Sequence, residues 1–354
     1  MSDESKVYIA GIGMITAVGA NTAMTAAAVK AGMSGYRASR FFTETSRQPI
    51  TMARVPDEVF ASPEFDIDEG TYQNRVIIMA VLALREALAG LAIKKSIPLI
   101  LAIPEAQQPW MEPSLLITHL ARQKDIPVHA DLVRRMDTGR SAGIEALELA
   151  RHFLVNQKAD FVLIGGSDSY ADILRLRELE AHDRVLTPEA KDGFAPGEGA
   201  GFILLTQHPE RALIRNGHVI HIAQVGVGQE PGHLFSKEVY RGDGLDQAFK
   251  LAIGNYPDKI SAIYSGMNGE HHWAKEYGVA YARNRDNFRD PVRFEHPADC
   301  YGDLGAATGA VLLGLAADRL WKNADASSHL VYASSDGATR AVALLEKVPR
   351  KANS

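Results

Sequence analysis

The sequence predicts an α/β fold. Three observations carry that prediction: short apolar runs of strand length, amphipathic stretches of helical length between them, and a weak internal repeat. The strand-like runs are 7–12, 98–103, 161–164, 202–205, 219–225, 260–264, 330–333 and 341–345. Several of them are apolar without alternation, as strands covered on both faces are. The clearest helical stretches are 22–31, 72–91, 141–155, 242–254 and 306–320. In the longest of these, Arg85 and Glu86 interrupt an otherwise apolar run, which gives it a polar face.

The repeat places Leu163-Ile164-Gly165-Gly166-Ser167-Asp168, an excursion, and a strand at 199–205 beside Val331-Tyr332-Ala333-Ser334-Ser335-Asp336-Gly337 and a strand at 341–345. Each unit is preceded by a helix that opens on small residues, at Thr138 to Gly143 and at Gly302 to Ala307. One βαβ-rich unit used twice accounts for this, with an expected junction at 207–217. The expected halves are 7–206 and 218–346, followed by a polar tail at 347–354 that lacks apolar periodicity and is expected to be loose.

Composition excludes several classes of function. The net charge is -5, and no dense Lys/Arg face interrupts it, so a phosphate backbone has no footprint and nucleic acid is not an expected partner. A single cysteine, Cys300, rules out an intramolecular disulfide and any Cys-cluster metal site. No apolar run approaches the roughly 20 residues that span a bilayer. The first residues have neither the basic region nor the apolar core of a signal peptide, and a cytoplasmic location is expected. Gly11-x-Gly13 followed by Thr16 departs from the dinucleotide-binding pattern. In His218-x-x-His221 the side chains of a strand would point to opposite faces, against joint metal ligation. No cofactor is expected.

Asp192-Gly193-Phe194-Ala195-Pro196-Gly197-Glu198-Gly199-Ala200-Gly201 resembles the DGF-x-x-GEGAG segment of the β-ketoacyl synthases. Weaker signatures follow in that family's order: the start Val7 to Gly13 with Gly19 behind it, the strand Ala159 to Asp168, the turn Gly302 to Ala307, and the closing Asp336-Gly337-Ala338-Thr339. Together they cover about residues 7 to 346. The resemblance implies a thiolase-like fold: two similar halves, each a mixed five-stranded sheet with helices, stacked in five αβαβα layers. Phe194 is then expected as a gate at the pocket, while a tight packed turn is the other reading of the glycine-rich run.

The family's condensing chemistry uses a cysteine at a helix N-terminus and two histidines, or a His and an Asn. In the matching patterns this sequence places Arg140 at the cysteine, Gly266 at the first histidine, and Gly302 or Asp303 at the second. Arginine stays charged and forms no thioester. Losing nucleophile and partners together leaves little activity. Arg140 at a helix N-terminus opposes the dipole and calls for carboxylates; Asp303, Asp137 and Glu270 are the candidates, with an Arg140–Asp303 pair across the two halves as the leading arrangement.

The expected pocket residues are Arg140, Phe194, Asn268, Glu270, Cys300 and Asp303. The leading expectation is a β-ketoacyl-synthase-like protein without condensing activity, a homo- or hetero-oligomeric partner or scaffold. Two alternatives stand beside it. One is an acyl-transfer or hydrolytic enzyme with a relocated nucleophile, Cys300 near His296, His271 and His272, or a serine such as Ser141 or Ser265. The other is a binder, without turnover, of acyl-CoA or an acyl carrier at Arg140.

Overall fold

Asn21 begins the first helix by accepting the Met24 N–H at 2.8 Å, and Asp172 caps another by accepting from Leu174 and Arg175, each side chain satisfying donors that a helix start leaves free. The computed structural model describes residues 6–44, 46–61, 71–93, 95–105, 112–187 and 192–350. The first half contains β1 (Val7–Thr16), α1 (Thr22–Lys30), β2 (Arg37–Phe42), β3 (Pro49–Met52), α2 (Tyr72–Ala87), β4 (Ile97–Ala102), α3 (Pro113–Arg122), β5 (Val128–Met136), α4 (Ala142–Val155), β6 (Val162–Ser169), α5 (Ile173–Ala181) and β7 (Glu198–Thr206). The second contains β8 (His218–Gln229), α6 (Asp243–Ile253), β9 (Ile260–Ser265), α7 (His271–Asn284), β10 (Phe288–Glu295), α8 (Ala298–Tyr301), α9 (Thr308–Lys322), β11 (Ser328–Ser334) and β12 (Thr339–Pro349).

The two halves share one topology. Strand order is β1-β7-β6-β4-β5 in the first and β8-β12-β11-β9-β10 in the second. Pairings run antiparallel, antiparallel, parallel, parallel in both. The sheets meet where Val7 pairs with Ile222 and Tyr8 with His221.

Helices α2 and α3 cover the outer face of the first sheet, and α6 with α7 that of the second. Between the sheets lie α4 and α9, whose Ile144, Leu147, Leu154, Val311 and Leu315 share one apolar core with Ile9, Ile203, Ile220 and Ala343. Burial on nearly all sides is the reason α9 reads as an almost unbroken apolar run, whereas α4 keeps a narrow polar face with Glu148 and His152 exposed. Gly143 and Gly309 let them touch: a Cβ on Gly143 would stand 2.8 Å from Ala310 N, and one on Gly309 2.9 Å from Ile144 N. This is the thiolase-like five-layer arrangement.

The outer strands depart from the sequence reading. The edge strands β5 and β10 were absent from it, because their exposed positions carry Asp131, Arg134, Arg135, Arg289 and Asp290 rather than an apolar run. Charged side chains on an edge block further pairing, and they also hide the strand from a hydrophobicity reading. Helices α3, α5 and α7 were missed for a similar reason, each having at most four buried side chains. The tail is corrected as well: Lys347, Val348 and Pro349 pair with Ile220, Val219 and His218 as the end of β12, while 351–354 lie outside the described residues. The expected helix at 72–91 stops at Ala87, with Leu88 as its cap.

Candidate functional site: a closed ion network at paired helix starts

Helices α4 and α9 each begin with one 3-10 turn, Gly139–Ser141 and Gly305–Ala307, and each turn opens on a glycine of positive φ, +57° and +52°. A side chain at Gly305 would put its Cβ 2.0 Å from Asp168 Oδ2. Asp168 uses that space to accept the Ala306 N–H at 3.0 Å and to pair with Arg175 at 2.6 Å. A carboxylate thus sits where the start of α9 favours negative charge.

The start of α4 holds the opposite charge. Arg140 is buried; its Nη1 donates to Asp303 Oδ2 at 2.7 Å, its Nη2 to Asp336 Oδ1, and its Nε to the Ser334 carbonyl at 3.0 Å. The guanidinium lies over the Trp273 ring, 4.7 Å from its centroid. A second arginine, Arg184, makes a bidentate pair with Glu270 at 2.7 and 2.8 Å and donates to Asp336 Oδ2 at 2.8 Å. Asn268 Nδ2 bridges Glu270 Oε2 at 3.0 Å and Asp303 Oδ2 at 2.8 Å, and Trp273 Nε1 donates to Glu270 Oε2 at 2.9 Å.

Burial opposes the charge on Arg140, but Asp336 and Asp303 outweigh it and hold the guanidinium well above its ordinary value. Burial likewise opposes the charge on Asp336; Arg140 and Arg184 overcome it and hold that carboxyl well below the usual range. Glu105 behaves differently. It accepts the Asp336 and Gly337 N–H groups at 2.8 and 2.7 Å, yet burial and then the Asp336 charge raise its pKa. Beside this cluster Arg340 and Glu276 form another fully buried pair at 2.6 Å.

Of the expected pocket residues, Arg140, Asn268, Glu270 and Asp303 come together. Asp137 does not: it is exposed and makes no ion pair among the described residues. Glu270 faces inward and is buried rather than solvated. Phe194, expected as a gate, is buried under Arg184 and packs edge-on against Tyr170 in a small core with Ile50 and Met52. Gly266 follows β9 directly, with its N–H bonded to the Tyr332 carbonyl at 2.9 Å. Gly302 has φ +74° at the end of α8.

Cys300 lies buried on α8, where desolvation, then Asp299 and Glu295, raise its thiol pKa. Of its expected histidine partners, His296 pairs with Asp299 at 2.8 Å and His271 with Asp192 at 2.7 Å, while the His272 ring packs against Tyr240 and Trp273. Ser141 shares a 2.6 Å hydrogen bond with Ser335, and Ser265 donates to Tyr332 at 2.7 Å; neither meets a base. His218 and His221 contact Asn216 and Glu346, and no group of three metal-type side chains occurs among the described residues.

Residues 133–211, from β5 through α4 and β6 to the end of β7 and the turn after it, match the model of the β-ketoacyl synthase N-terminal domain. The fold matches solved ketosynthases across nearly the whole chain. The ishigamide ketosynthase/chain length factor superposes with a TM-score of 0.75 at 20% identity, covering 96% of this chain and 98% of that one. A ketosynthase in complex with its chain length factor from Xenorhabdus doucetiae gives 0.72 at 14% identity, covering 98% and 99%. A β-ketoacyl synthase from Burkholderia phymatum STM815 gives 0.72 at 18% identity, covering 97% and 99%.

The fold is that of the ketosynthases, and the match to the β-ketoacyl synthase N-terminal domain falls on residues 133–211. Within this β-ketoacyl synthase fold, sequence reasoning missed Arg184, Trp273, Glu105 and the Arg340–Glu276 pair. Arg184 lies in the excursion between β6 and β7, where no local pattern announces burial. Asp336 was visible only as part of a closing turn; its two arginines arrive from α4 and from that excursion, 196 and 152 residues away in sequence. Chemically, the cluster holds fixed charges in mutual satisfaction. It presents no thiolate, and an arginine neither attacks a carbonyl nor exchanges protons near neutrality.

Proposed function

We propose that this protein does not catalyse condensation and serves as a protein partner or scaffold for acyl-chain machinery of the ketosynthase type. One observation carries the reading: Arg140, which the sequence resemblance places at the family's nucleophile, is consumed by Asp303 and Asp336 in a buried network at the start of α4. A guanidinium so neutralised has no free valence for a substrate carboxylate, and Gly266 and Asp303 supply no imidazole. The raised Cys300 thiol argues against a relocated nucleophile, since the thiolate is the attacking species. Two of the solved structures most similar in fold are described as ketosynthase/chain length factor pairs, which supports a protein partner of the same fold.

The test is intact-mass spectrometry after incubation with acyl-CoA and acyl-carrier thioesters, run beside a malonyl-dependent condensation assay and repeated with Cys300→Ala. No covalent adduct and no condensation product is the expected result. An adduct that disappears in Cys300→Ala overturns the reading. Mixing with an active ketosynthase subunit from the same source is expected to give a stoichiometric complex in analytical ultracentrifugation; two unassociated species at micromolar concentration would remove the partner role.

A further inference from the structure

A cleft of about 420 Å³ lies between the β2–β3 hairpin and the short turn Asp57–Val59, outside the ion network of the central site. Its charged lining is Arg37, Arg40 and Arg54 against Asp57 and Glu58. Asp57 is already committed, accepting from Arg75 Nη1 at 2.7 Å. Arg54 comes no closer than 3.8 Å to Asp57 and 3.9 Å to Glu198, and Glu198 is itself held by Arg75, Ser169 and the Val55 N–H. Arg54 Nε is buried without an acceptor among the described residues. Burial, followed by the like charge of Arg75, lowers the Arg54 pKa, the sign of a cation short of counter-charge. Arg37 and Arg40 are exposed and make no ion pair among the described residues.

We propose that this arginine-lined cleft binds a phosphoryl dianion carried by a small organic molecule, a phosphomonoester or a diphosphate. Around the cleft Arg37, Arg40, Arg54 and Arg75 meet the carboxylates Asp57, Glu58 and Glu198, which leaves a net positive charge, and the guanidiniums of Arg37 and Arg40, unpaired among the described residues, are open to a ligand. Guanidinium forks suit the several acceptor oxygens of a phosphate, where a carboxylate would satisfy one fork alone. The volume exceeds what a bare phosphate fills and falls in the range of small-molecule sites, so an organic portion has room beside Met52 and Val55. The inference is independent of the proposed function, because none of these residues belongs to the Arg140 network.

Calorimetric titration at low ionic strength tests it, with inorganic phosphate and pyrophosphate as probes and acetate as the monoanion control. Saturable 1:1 binding of phosphate, tighter binding of pyrophosphate and no saturation by acetate are expected. Arg37→Glu, at an exposed position, is expected to weaken pyrophosphate binding at least tenfold. Arg54→Gln should do the same, and Lys158→Glu, on a distant surface, should leave it unchanged. Absence of saturable binding by folded protein, equal binding of acetate, or undiminished affinity in Arg37→Glu would each overturn the proposal.

Discussion

Arg140 on the turn that opens α4 donates to Asp303 on the turn that precedes α9, 2.7 Å across the two halves of the chain. The contact joins the two helix starts that the duplicated fold brings face to face. It also sets a cation against the positive end of a helix dipole, an arrangement tolerated only because Asp336 and Asp303 outweigh it.

Removing that cation is expected to leave Asp303 and Asp336 buried with too little counter-charge. Arg140→Ala should therefore lose about 3–5 kcal/mol of stability, the range for breaking one side of a buried pair. Denaturant unfolding of wild type and variant checks it; a loss under 1 kcal/mol would show that the network contributes little. Arg140→Cys should also remain without condensing activity, since Gly266 and Asp303 supply no histidine.

Acid should act on His329 first. Its ring is buried, shares a 2.9 Å hydrogen bond with the Ala316 carbonyl, and has a pKa pushed down to about 4, chiefly by desolvation. The unfolded chain binds a proton there below about pH 6.5, while the folded chain stays neutral until about pH 4. Stability is consequently lost as pH falls from 6.5 to 4, by about 2 kcal/mol between pH 7 and 5. In His329→Gln that pH-dependent share should vanish, whatever the variant's stability at pH 7; an unchanged slope would refute the assignment.

Asp336 acts in a lower window. Its folded pKa is depressed, so its contribution is fully present above the ordinary carboxylate value of about 4 and is lost as pH falls below that. Glu105 runs the other way: its raised pKa favours the folded state at low pH and loses that advantage as pH rises through the folded value. Glu105→Gln is expected to flatten the stability profile just above pH 4, measurable by urea unfolding at half-unit pH steps.

Gly305→Ala should be far more disruptive than Gly32→Ala. Both glycines have positive φ, but the added Cβ at Gly305 meets Asp168 Oδ2 at 2.0 Å, whereas Gly32 has open space around it. A loss of about 1 kcal/mol is expected at Gly32 from backbone strain alone, and several times that at Gly305, where Asp168 must also give up Arg175 or Ala306. Equal effects in thermal unfolding would contradict the turn geometry.

Cys300 is expected to react with iodoacetamide at pH 8 well below the rate of a free thiol, and to label fully in denaturant. Fast labelling of the folded protein would revive it as a nucleophile.

The sequence by itself determined the α/β class, the central strands and the two middle helices, because buried strands and α9 leave long apolar runs and the polar positions of α4 recur at helical spacing, signals that need no partner to be recognised. It also marked Arg140 and pointed to Asp303, since a cation at a helix start needs a carboxylate. Only the tertiary structure decided the rest. The edge strands β5 and β10 carry charges that local patterns assign to loops, and they become strands through pairing with β4 and β9. Arg184 and Asp336 gain their roles from contacts across 152 residues of chain. Phe194 lies in a core with Ile50, Met52 and Tyr170 of its own half and Asp137 stays exposed, outcomes set by packing between segments distant in sequence. Spacing along the chain records local geometry, whereas the charge balance of a buried site depends on every segment that reaches it.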